Sequence, residues 1–373
     1  MRAKPVPDML RLLEISLPSP VQVSILRAAL LNLAEESDNW DAAIDNPRAG
    51  VNRLLPLLNL AARLRQFPVS AGLRTHLAAA SLREQARAKI VRQLCFGALD
   101  RLNRHKIPVI VLRGVAAAET VYPSPDLRHC HDLDVFISED HLPAAVSALR
   151  GLFDVRGDPA EPVLRHLSGF PLCLHTSLFP VAPFCAAIPQ PFESTLNAPI
   201  AGLEASLLAP SASLLHTLAH AATFGSWKSP CWVADAWFLM NRHSIDWTWI
   251  HERAAAGQMT GPVWVMLSFL KSRFGAAVPE DLLESLRVAT QHQSRTARLA
   301  AETCVLSSAR GRPGELVRLA PRGRARITVM RWLLLPPRQY LSWMEAPAAG
   351  WRLALRYVSR SARFLIRGLR ARA

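Results

Sequence analysis

Residues 108–137, PVIVLRGVAAAETVYPSPDLRHCHDLDVFI, decide the fold of this chain. An unbroken apolar run at 109–112 ends just before Gly114, and a second apolar run at 133–137 is interrupted only by Asp134. Short apolar runs bounded by turn residues predict buried strands, here with a loop and a helical piece between them. The sequence therefore predicts a small β-sheet at the centre of the protein.

Two carboxylates stand at alternate positions of the second predicted strand. Because side chains alternate across a strand, Asp132 and Asp134 should point to one face, while Leu133 and Val135 point into the core. Two like charges side by side are costly, so such a pair either raises one pKa or recruits a cation. Oxygen ligands on a rigid strand suit Mg²⁺, which accepts one or two carboxylates and takes its other ligands from phosphates and water. The acid pair is therefore a candidate metal site.

The order of these features resembles the nucleotidyltransferase superfamily, in which a turn glycine after a buried strand precedes an Asp-x-Asp strand. The closer resemblance is to a bacterial branch with Leu-Lys-Gly, Tyr-Pro and an Arg ahead of the two acids. The residues that match are Leu112-Arg113-Gly114, Tyr122-Pro123, Arg128 and Asp132-Leu133-Asp134. The resemblance implies transfer of a nucleoside monophosphate from a nucleoside triphosphate (NTP) to an unidentified small-molecule, sugar or peptide acceptor, with Mg²⁺ or Mn²⁺ as cofactor.

The resemblance also assigns roles to individual residues. Asp132 and Asp134 would hold the metal, which stabilises the attacking and leaving oxygens. Gly114 would let the backbone approach the β- and γ-phosphates, where a Cβ would clash. Either Arg113 or Arg128 would neutralise phosphate charge as a planar fork. The lysine that usually precedes the glycine is Arg113 in this chain, which keeps the charge and changes its geometry.

The next expected core strand departs from the family pattern. Residues 170–175, FPLCLH, resemble the strand that usually carries Asp or Glu, a hydrophobic residue and His, but Cys173 stands at the acidic position. A thiol is a poor hard-metal ligand and a poor base. Three explanations are open. Two carboxylates suffice for catalysis, or Asp158 or Glu161 supplies the third carboxylate, or the protein is catalytically silent and binds nucleotide or a partner. His175 is a candidate base near neutral pH, with a packed core histidine as the alternative.

Composition places the chain among folded globular proteins. Half of the 373 residues are apolar, so two or three structural units with a sizeable core are expected. No apolar run reaches the roughly 18 to 20 residues of a transmembrane helix, and the first residues do not resemble a signal peptide. The six cysteines lack paired CxxC spacing, which disfavours structural zinc and a disulfide framework. We expect a cytoplasmic protein, with peripheral attachment to a membrane as an option.

Helical periodicity flanks the predicted sheet on both sides. Apolar residues recur at helical spacing through most of the first hundred positions. The helix predicted at 81–104 carries one apolar stripe that should pack on the sheet, formed by Ile90, Leu94, Ala98 and Leu102. From 210 onward the pattern is helical again, with Ser211 or Ser213 as the predicted cap of the first helix.

These patterns together predict an α+β fold in which a small mixed sheet, the nucleotidyltransferase core, is embedded in N- and C-terminal helical regions. Two or three further strands are expected between residues 153 and 199. The predicted organisation is a helical N-terminal region at 1–106, the core at 107–200, a second helical region at 201–309 and an Arg-rich segment at 310–373.

A further stretch that resembles the same branch is Trp232-Val233-Ala234-Asp235, which follows His220. Asp235 stands among aromatic residues on a predicted helix, so its burial would require a partner such as His220 or Arg242. A structural ion pair and a contact to the acceptor substrate are both open at this point.

Positive charge is concentrated near the C-terminus. Residues 310–373 contain 15 Arg, no Lys and 2 Glu, so they supply 15 − 2 = +13 of the net charge of +15. Arginines form one stripe of a helix predicted at 351–370, and the apolar residues that lie away from it are Trp351, Leu355, Val358, Leu365 and Leu369. Such a basic amphipathic helix predicts binding to an anionic membrane surface or an acidic partner, with nucleic acid ranked lower because few aromatics are interleaved. The alternative is that its apolar side packs on the domain and its arginines are solvated.

Overall fold

A computed structural model describes residues 12–31, 33, 40–46, 50–65, 69–158, 161–224, 230–308, 313–320, 322–344 and 350–370. Within these ranges the chain forms one seven-stranded sheet that is flanked by α-helices. This arrangement confirms the predicted α+β class with a small mixed sheet at its core.

The seven strands are β1 (Ile110–Leu112), β2 (Leu133–Phe136), β3 (Asp154–Asp158), β4 (Glu161–Arg165), β5 (Pro171–His175), β6 (Thr195–Ile200) and β7 (Leu203–Leu208). Their order in the sheet is β3-β4-β5-β2-β1-β7-β6. β1 is antiparallel to β2 and parallel to β7, while β2 is parallel to β5. The two strands predicted from the apolar runs, β1 and β2, and the strand expected from the family resemblance, β5, are therefore neighbours in the middle of the sheet.

The helices come mostly from the two ends of the chain. Those that precede or interrupt the sheet are α1 (Pro20–Leu31), α2 (Trp40–Asp45), α3 (Leu55–Arg65), α4 (Ala71–Arg104), α5 (Arg113–Thr120) and α6 (Leu142–Leu149). Those that follow it are α7 (Pro210–Phe224), α8 (Cys231–Arg242), α9 (Trp247–Ala256), α10 (Thr260–Phe274), α11 (Glu280–Gln291), α12 (Arg295–Ser308), α13 (Pro313–Leu319), α14 (Arg324–Leu334), α15 (Arg338–Met344) and α16 (Gly350–Arg370).

The sheet separates two hydrophobic cores. Val111, Leu133 and Val135 face one core together with apolar residues of α4 and α6. Ile110, Leu112 and Phe136 face the other, which includes α1, α3 and the helices that follow the sheet. Because Asp134 alternates with Leu133 and Val135 along β2, its side chain points to the second of these faces.

The longest helix, α4, packs on the sheet as predicted with Leu94, Ala98 and Leu102 of the predicted stripe, but not with Ile90. Ile90 is 52% exposed, whereas Val91, Cys95, Leu99 and Leu102 are buried. A strict spacing of four residues advances about 40° per step around a helix with 3.6 residues per turn, so a line drawn through Ile90 drifts off the buried face. The buried face instead alternates spacings of three and four.

Two other local predictions need correction. Four strands rather than two or three begin between residues 153 and 199, because the β6–β7 hairpin follows the three strands that end at His175. The helix α7 begins at Pro210, so Ser211 and Ser213 lie inside its first turn rather than at the cap. The Ser211 hydroxyl accepts a hydrogen bond of 2.9 Å from the backbone of Asp246 instead.

The C-terminal helix α16 turns its apolar stripe outward. Trp351, Leu355 and Val358 are 69%, 55% and 66% exposed, while Leu353 and Tyr357 pack against the core. The alternative in which the apolar side packs on the domain is therefore wrong for these residues. The side chains at 363–370, which include two leucines of the predicted stripe, lie outside the described ones. In the described ranges no helix is long and apolar enough to span a bilayer.

Candidate active site

Two of the predicted site residues lie at the turn from β1 into α5. Arg113 opens the helix with a φ of 49°, in the left-handed region that is uncommon for residues other than glycine. Gly114 follows it. A Cβ at Gly114 would meet the Cys130 Sγ at 3.7 Å and the Arg128 Nη2 at 3.8 Å, which are ordinary van der Waals distances. Packing within the protein therefore does not require a glycine at position 114.

Strand pairing brings Asp134 beside Cys173 and His175. β2 and β5 are parallel, with Asp134 opposite Cys173, and His175 lies two residues further along on the same face. The His175 Nε2 is 2.7 Å from the Asp134 Oδ1. One donor atom from each of these three residues lies within 4.8 Å of the other two. Among the described residues, this oxygen, sulfur and nitrogen set has the spacing of a candidate metal site.

Arg113 neutralises Asp134 at the centre of the site. Its Nη2 is 2.7 Å from the Asp134 Oδ1 and its Nε is 3.1 Å from the Oδ2, so the guanidinium binds the carboxylate with both arms. The same Nη2 lies 3.2 Å from the His175 Nε2. The positive end of Arg113 therefore takes up the space beside Asp134 that a cation would use.

The two predicted metal ligands have pKa values that are pushed apart. Burial acts to raise the pKa of Asp134, but the hydrogen bond from His175 and the Arg113 guanidinium outweigh burial and hold that pKa well below its usual range. Asp132 lies just before β2 with 27% of its side chain exposed. Burial and the nearby Asp134 charge raise the pKa of Asp132. One acid is thus firmly ionised while its neighbour holds a proton more readily.

Cys173, at the position where the family pattern carries an acid, is a thiol at neutral pH. Burial, followed by the charges of Asp134 and Asp132, raises its pKa to about 12. A neutral sulfur beside two carboxylates adds no third negative charge to the site. Asp158 and Glu161, suggested as an alternative third acid, have side chains outside the described ones.

Arg128, the other predicted phosphate ligand, is held in a buried ion pair with Asp235 of α8. Its Nε and Nη2 lie 2.8 and 2.9 Å from the two carboxylate oxygens, and the two side chains are only 12% and 8% exposed. The Tyr122 hydroxyl donates a third bond of 2.8 Å to the same carboxylate. The partners of Asp235 shown by the structure are therefore Arg128 and Tyr122, neither of which the sequence had suggested for it. No local pattern could have found this pair, because 107 positions separate its members.

Two histidines of α7, His216 and His220, have pKa values that are affected by the charge of Arg113. The ring of His216 is 6.4 Å from that of His220, and the His216 Nε2 lies 3.0 Å from the backbone oxygen of Leu178. Burial, together with the positive charge of Arg113, lowers the pKa of His216 to about 3 and that of His220 well below its usual value. Both rings are neutral at pH 7 and add no charge to the site. The sequence analysis did not single out His216.

The sheet and the turn together define a class of protein. A central strand that carries Asp134, with Asp132 two positions before it, beside a strand-to-helix turn with Gly114, is the arrangement expected for a nucleotidyltransferase core. The chain belongs to a family of uncharacterised nucleotidyltransferases, whose family model matches residues 36–275. That range contains the whole sheet and every site residue discussed above, and it ends after α10. No curated protein and no solved structure matches the chain.

Proposed function

We propose that the chain transfers a nucleoside monophosphate from an NTP to a hydroxyl, phosphate or carboxylate group of a small-molecule, sugar or peptide acceptor. The observation that carries the proposal is the position of Asp134: it lies on a central strand, next to the turn that contains Gly114, with Asp132 two residues before it. Family membership supports the nucleotidyl transfer and an NTP as the donor.

The turn from β1 into α5 is the proposed cradle for the triphosphate. Of the two arginines, we assign Arg113 to the phosphates, because its guanidinium lies beside Asp134 and His175, whereas that of Arg128 is held in the buried pair with Asp235. Arg113 is a flexible side chain on the first residue of a helix, so it can exchange its carboxylate partner for a phosphate. Gly114 would leave room for close approach of phosphate oxygens, since its glycine is not needed for packing within the protein.

His175 is the proposed proton acceptor for a hydroxyl substrate. The oxygen of the acceptor attacks the α-phosphorus, the bond from that phosphorus to the bridging oxygen breaks, and pyrophosphate leaves with its electron pair. The hydroxyl proton passes to His175. Asp134 would orient the ring through the 2.7 Å contact at Nε2, which leaves Nδ1 as the nitrogen that takes the proton.

The carboxylate oxygens of Asp132 and Asp134 fit a divalent cation, whereas the thiol of Cys173 does not. Asp132 and Asp134 would hold Mg²⁺ or Mn²⁺, because a cation of this kind needs only one or two carboxylates when phosphates and water supply its other ligands. When bound, the cation neutralises charge on the reacting phosphates. Cys173 would remain outside this ligand set, since a neutral thiol offers no hard oxygen.

Pyrophosphate release tests the proposal. Wild-type protein would be incubated with each of the four common NTPs, Mg²⁺ or Mn²⁺ and a panel of acceptors. Asp132→Asn combined with Asp134→Asn should abolish pyrophosphate release. The control Asp140→Asn, which alters an exposed aspartate shortly after β2, should leave the release rate unchanged. Release by the double variant at the wild-type rate would contradict the assignment of the acid pair.

Cys173 favours a second candidate function, a catalytically silent member of the family that binds nucleotide or a partner protein. Calorimetric titration with Mg²⁺ and each NTP, run beside the turnover assay, separates the two. Binding without pyrophosphate release in any acceptor reaction would favour the silent form. In that case Cys173→Asp should restore a third carboxylate beside Asp134 and bring measurable turnover.

A further inference from the structure

The outer face of α16 is an apolar stripe with no protein cover among the described residues. Trp351, Leu355 and Val358 are spaced by four and three positions, so they lie within roughly 60° of one another around the helix. Each is more than half exposed. On the neighbouring helix α14, Ile327 and Met330 are 67% and 47% exposed. Exposed large apolar side chains that share one helix face mark a contact surface rather than random surface composition.

The other side of α16 is hydrogen-bonded to the protein, and these bonds oppose rotation of the helix that would bury the stripe. The Tyr357 hydroxyl donates to the backbone oxygen of Pro336 at 3.0 Å, and the Ser361 hydroxyl donates to that of Leu334 at 3.2 Å. The Arg360 guanidinium lies 5.0 Å from the centre of the Tyr340 ring. These contacts orient α16 with its apolar stripe toward solvent.

The C-terminal segment that contains the stripe is almost entirely positive in charge. Arg352 is exposed beside Trp351, and four further exposed arginines, Arg318, Arg324, Arg331 and Arg338, lie on the three preceding helices. The segment 310–373 as a whole carries 15 Arg against 2 Glu. An apolar stripe with arginines beside it is the pattern of a helix that lies in the interface of an anionic bilayer, with its apolar residues among the acyl chains and its arginines at the phosphates.

We propose that α16 attaches this protein to an anionic lipid surface, with Trp351, Leu355 and Val358 inserted below the headgroups. A nucleic-acid backbone or an acidic peptide would satisfy the arginines and leave the apolar stripe in water, so the stripe favours the lipid surface. The segment lies beyond residues 36–275, the range of the family match, so this inference stands apart from the proposed catalysis.

Vesicle flotation with the full-length protein tests the inference. Wild-type protein should float with vesicles of phosphatidylcholine and phosphatidylserine and remain at the bottom with phosphatidylcholine alone. The double variant Trp351→Ser, Leu355→Ser should lose at least roughly tenfold in partitioning, because two large apolar side chains are removed. Arg352→Gln should lose about fivefold, the effect of about 1 kcal/mol for one basic residue near an anionic surface.

Matched controls keep the result specific. Leu82→Ser and Arg83→Gln alter an equally exposed leucine and arginine on α4, and both should float like wild type. Circular dichroism and thermal unfolding confirm that each variant is folded. The inference is overturned if wild-type protein fails to float with anionic vesicles, or if the double variant floats as well as wild type.

Discussion

Asp235→Ala should destabilise the protein by about 3–5 kcal/mol, because it leaves the guanidinium of Arg128 buried without a counter-charge. The magnitude follows from the geometry of the pair, whose side chains are 12% and 8% exposed and joined by contacts of 2.8 and 2.9 Å. The Tyr122 hydroxyl loses its 2.8 Å acceptor in the same step. If this cost is electrostatic, removing both charges in Arg128→Met, Asp235→Leu should recover roughly half of it or more.

Urea unfolding followed by circular dichroism measures these changes in free energy. Asp100→Ala is the matched control, because Asp100 pairs at 2.9 Å with Arg104, whose side chain is 76% exposed. That substitution should cost less than about 1 kcal/mol. A loss below about 1 kcal/mol for Asp235→Ala would refute the buried pair. A double variant that is no more stable than Asp235→Ala would refute the electrostatic cause.

Three further predictions concern the site itself. Gly114→Ala should change the free energy of unfolding by no more than about 1 kcal/mol, because its Cβ meets only ordinary contacts. The same variant should bind NTP roughly tenfold more weakly in calorimetry, because phosphates would approach that backbone. Normal NTP affinity would contradict the proposed phosphate cradle. Arg113→Met should weaken NTP binding and strengthen Mn²⁺ binding without nucleotide, since the guanidinium no longer fills the space beside Asp134; unchanged affinity for both ligands would argue against this role. Because the pKa of Asp134 is depressed in the folded protein, its carboxylate adds stability above its unfolded pKa of about 3.9 and loses it as the pH falls further. In urea titrations, the free energy of unfolding of Asp134→Asn should therefore fall less steeply below about pH 4 than that of wild-type protein. An equally steep fall in both proteins would count against the depressed pKa of Asp134.

The strands β1 and β2 could be predicted from sequence because their signals are local. Both are short apolar runs whose ends are marked by turn residues, and the alternation of Asp134 with Leu133 and Val135 identifies the face of the site. The strand β5 was expected from the family resemblance. Proximity of His175 to Asp134 followed only from the family resemblance, since sequence spacing does not give strand order. The register of β2 against β5 supplies that contact in the structure.

Features that depend on tertiary contact were missed or misplaced. The partner of Asp235 lies 107 positions away, so neighbouring residues such as Arg242 were the only candidates that local reasoning offered. The β6–β7 hairpin gives a weak signal, because Pro199 interrupts its first strand; the edge position of β6 tolerates a proline. The stripe of α16 was visible in the sequence, but only the contacts of Tyr357 and Arg360 determine which side faces the protein.

Calorimetric binding of an NTP analogue with a non-hydrolysable α,β-methylene bridge tests most directly whether the acid pair gathers a cation beneath a triphosphate. Wild-type protein should bind the analogue with Mg²⁺ or Mn²⁺ and lose at least roughly tenfold in affinity when the cation is chelated. Asp132→Asn, Asp134→Asn should bind it weakly, with no difference between the two conditions. Tight, cation-independent binding by wild-type protein, or full cation-dependent binding by the double variant, would contradict the proposed site.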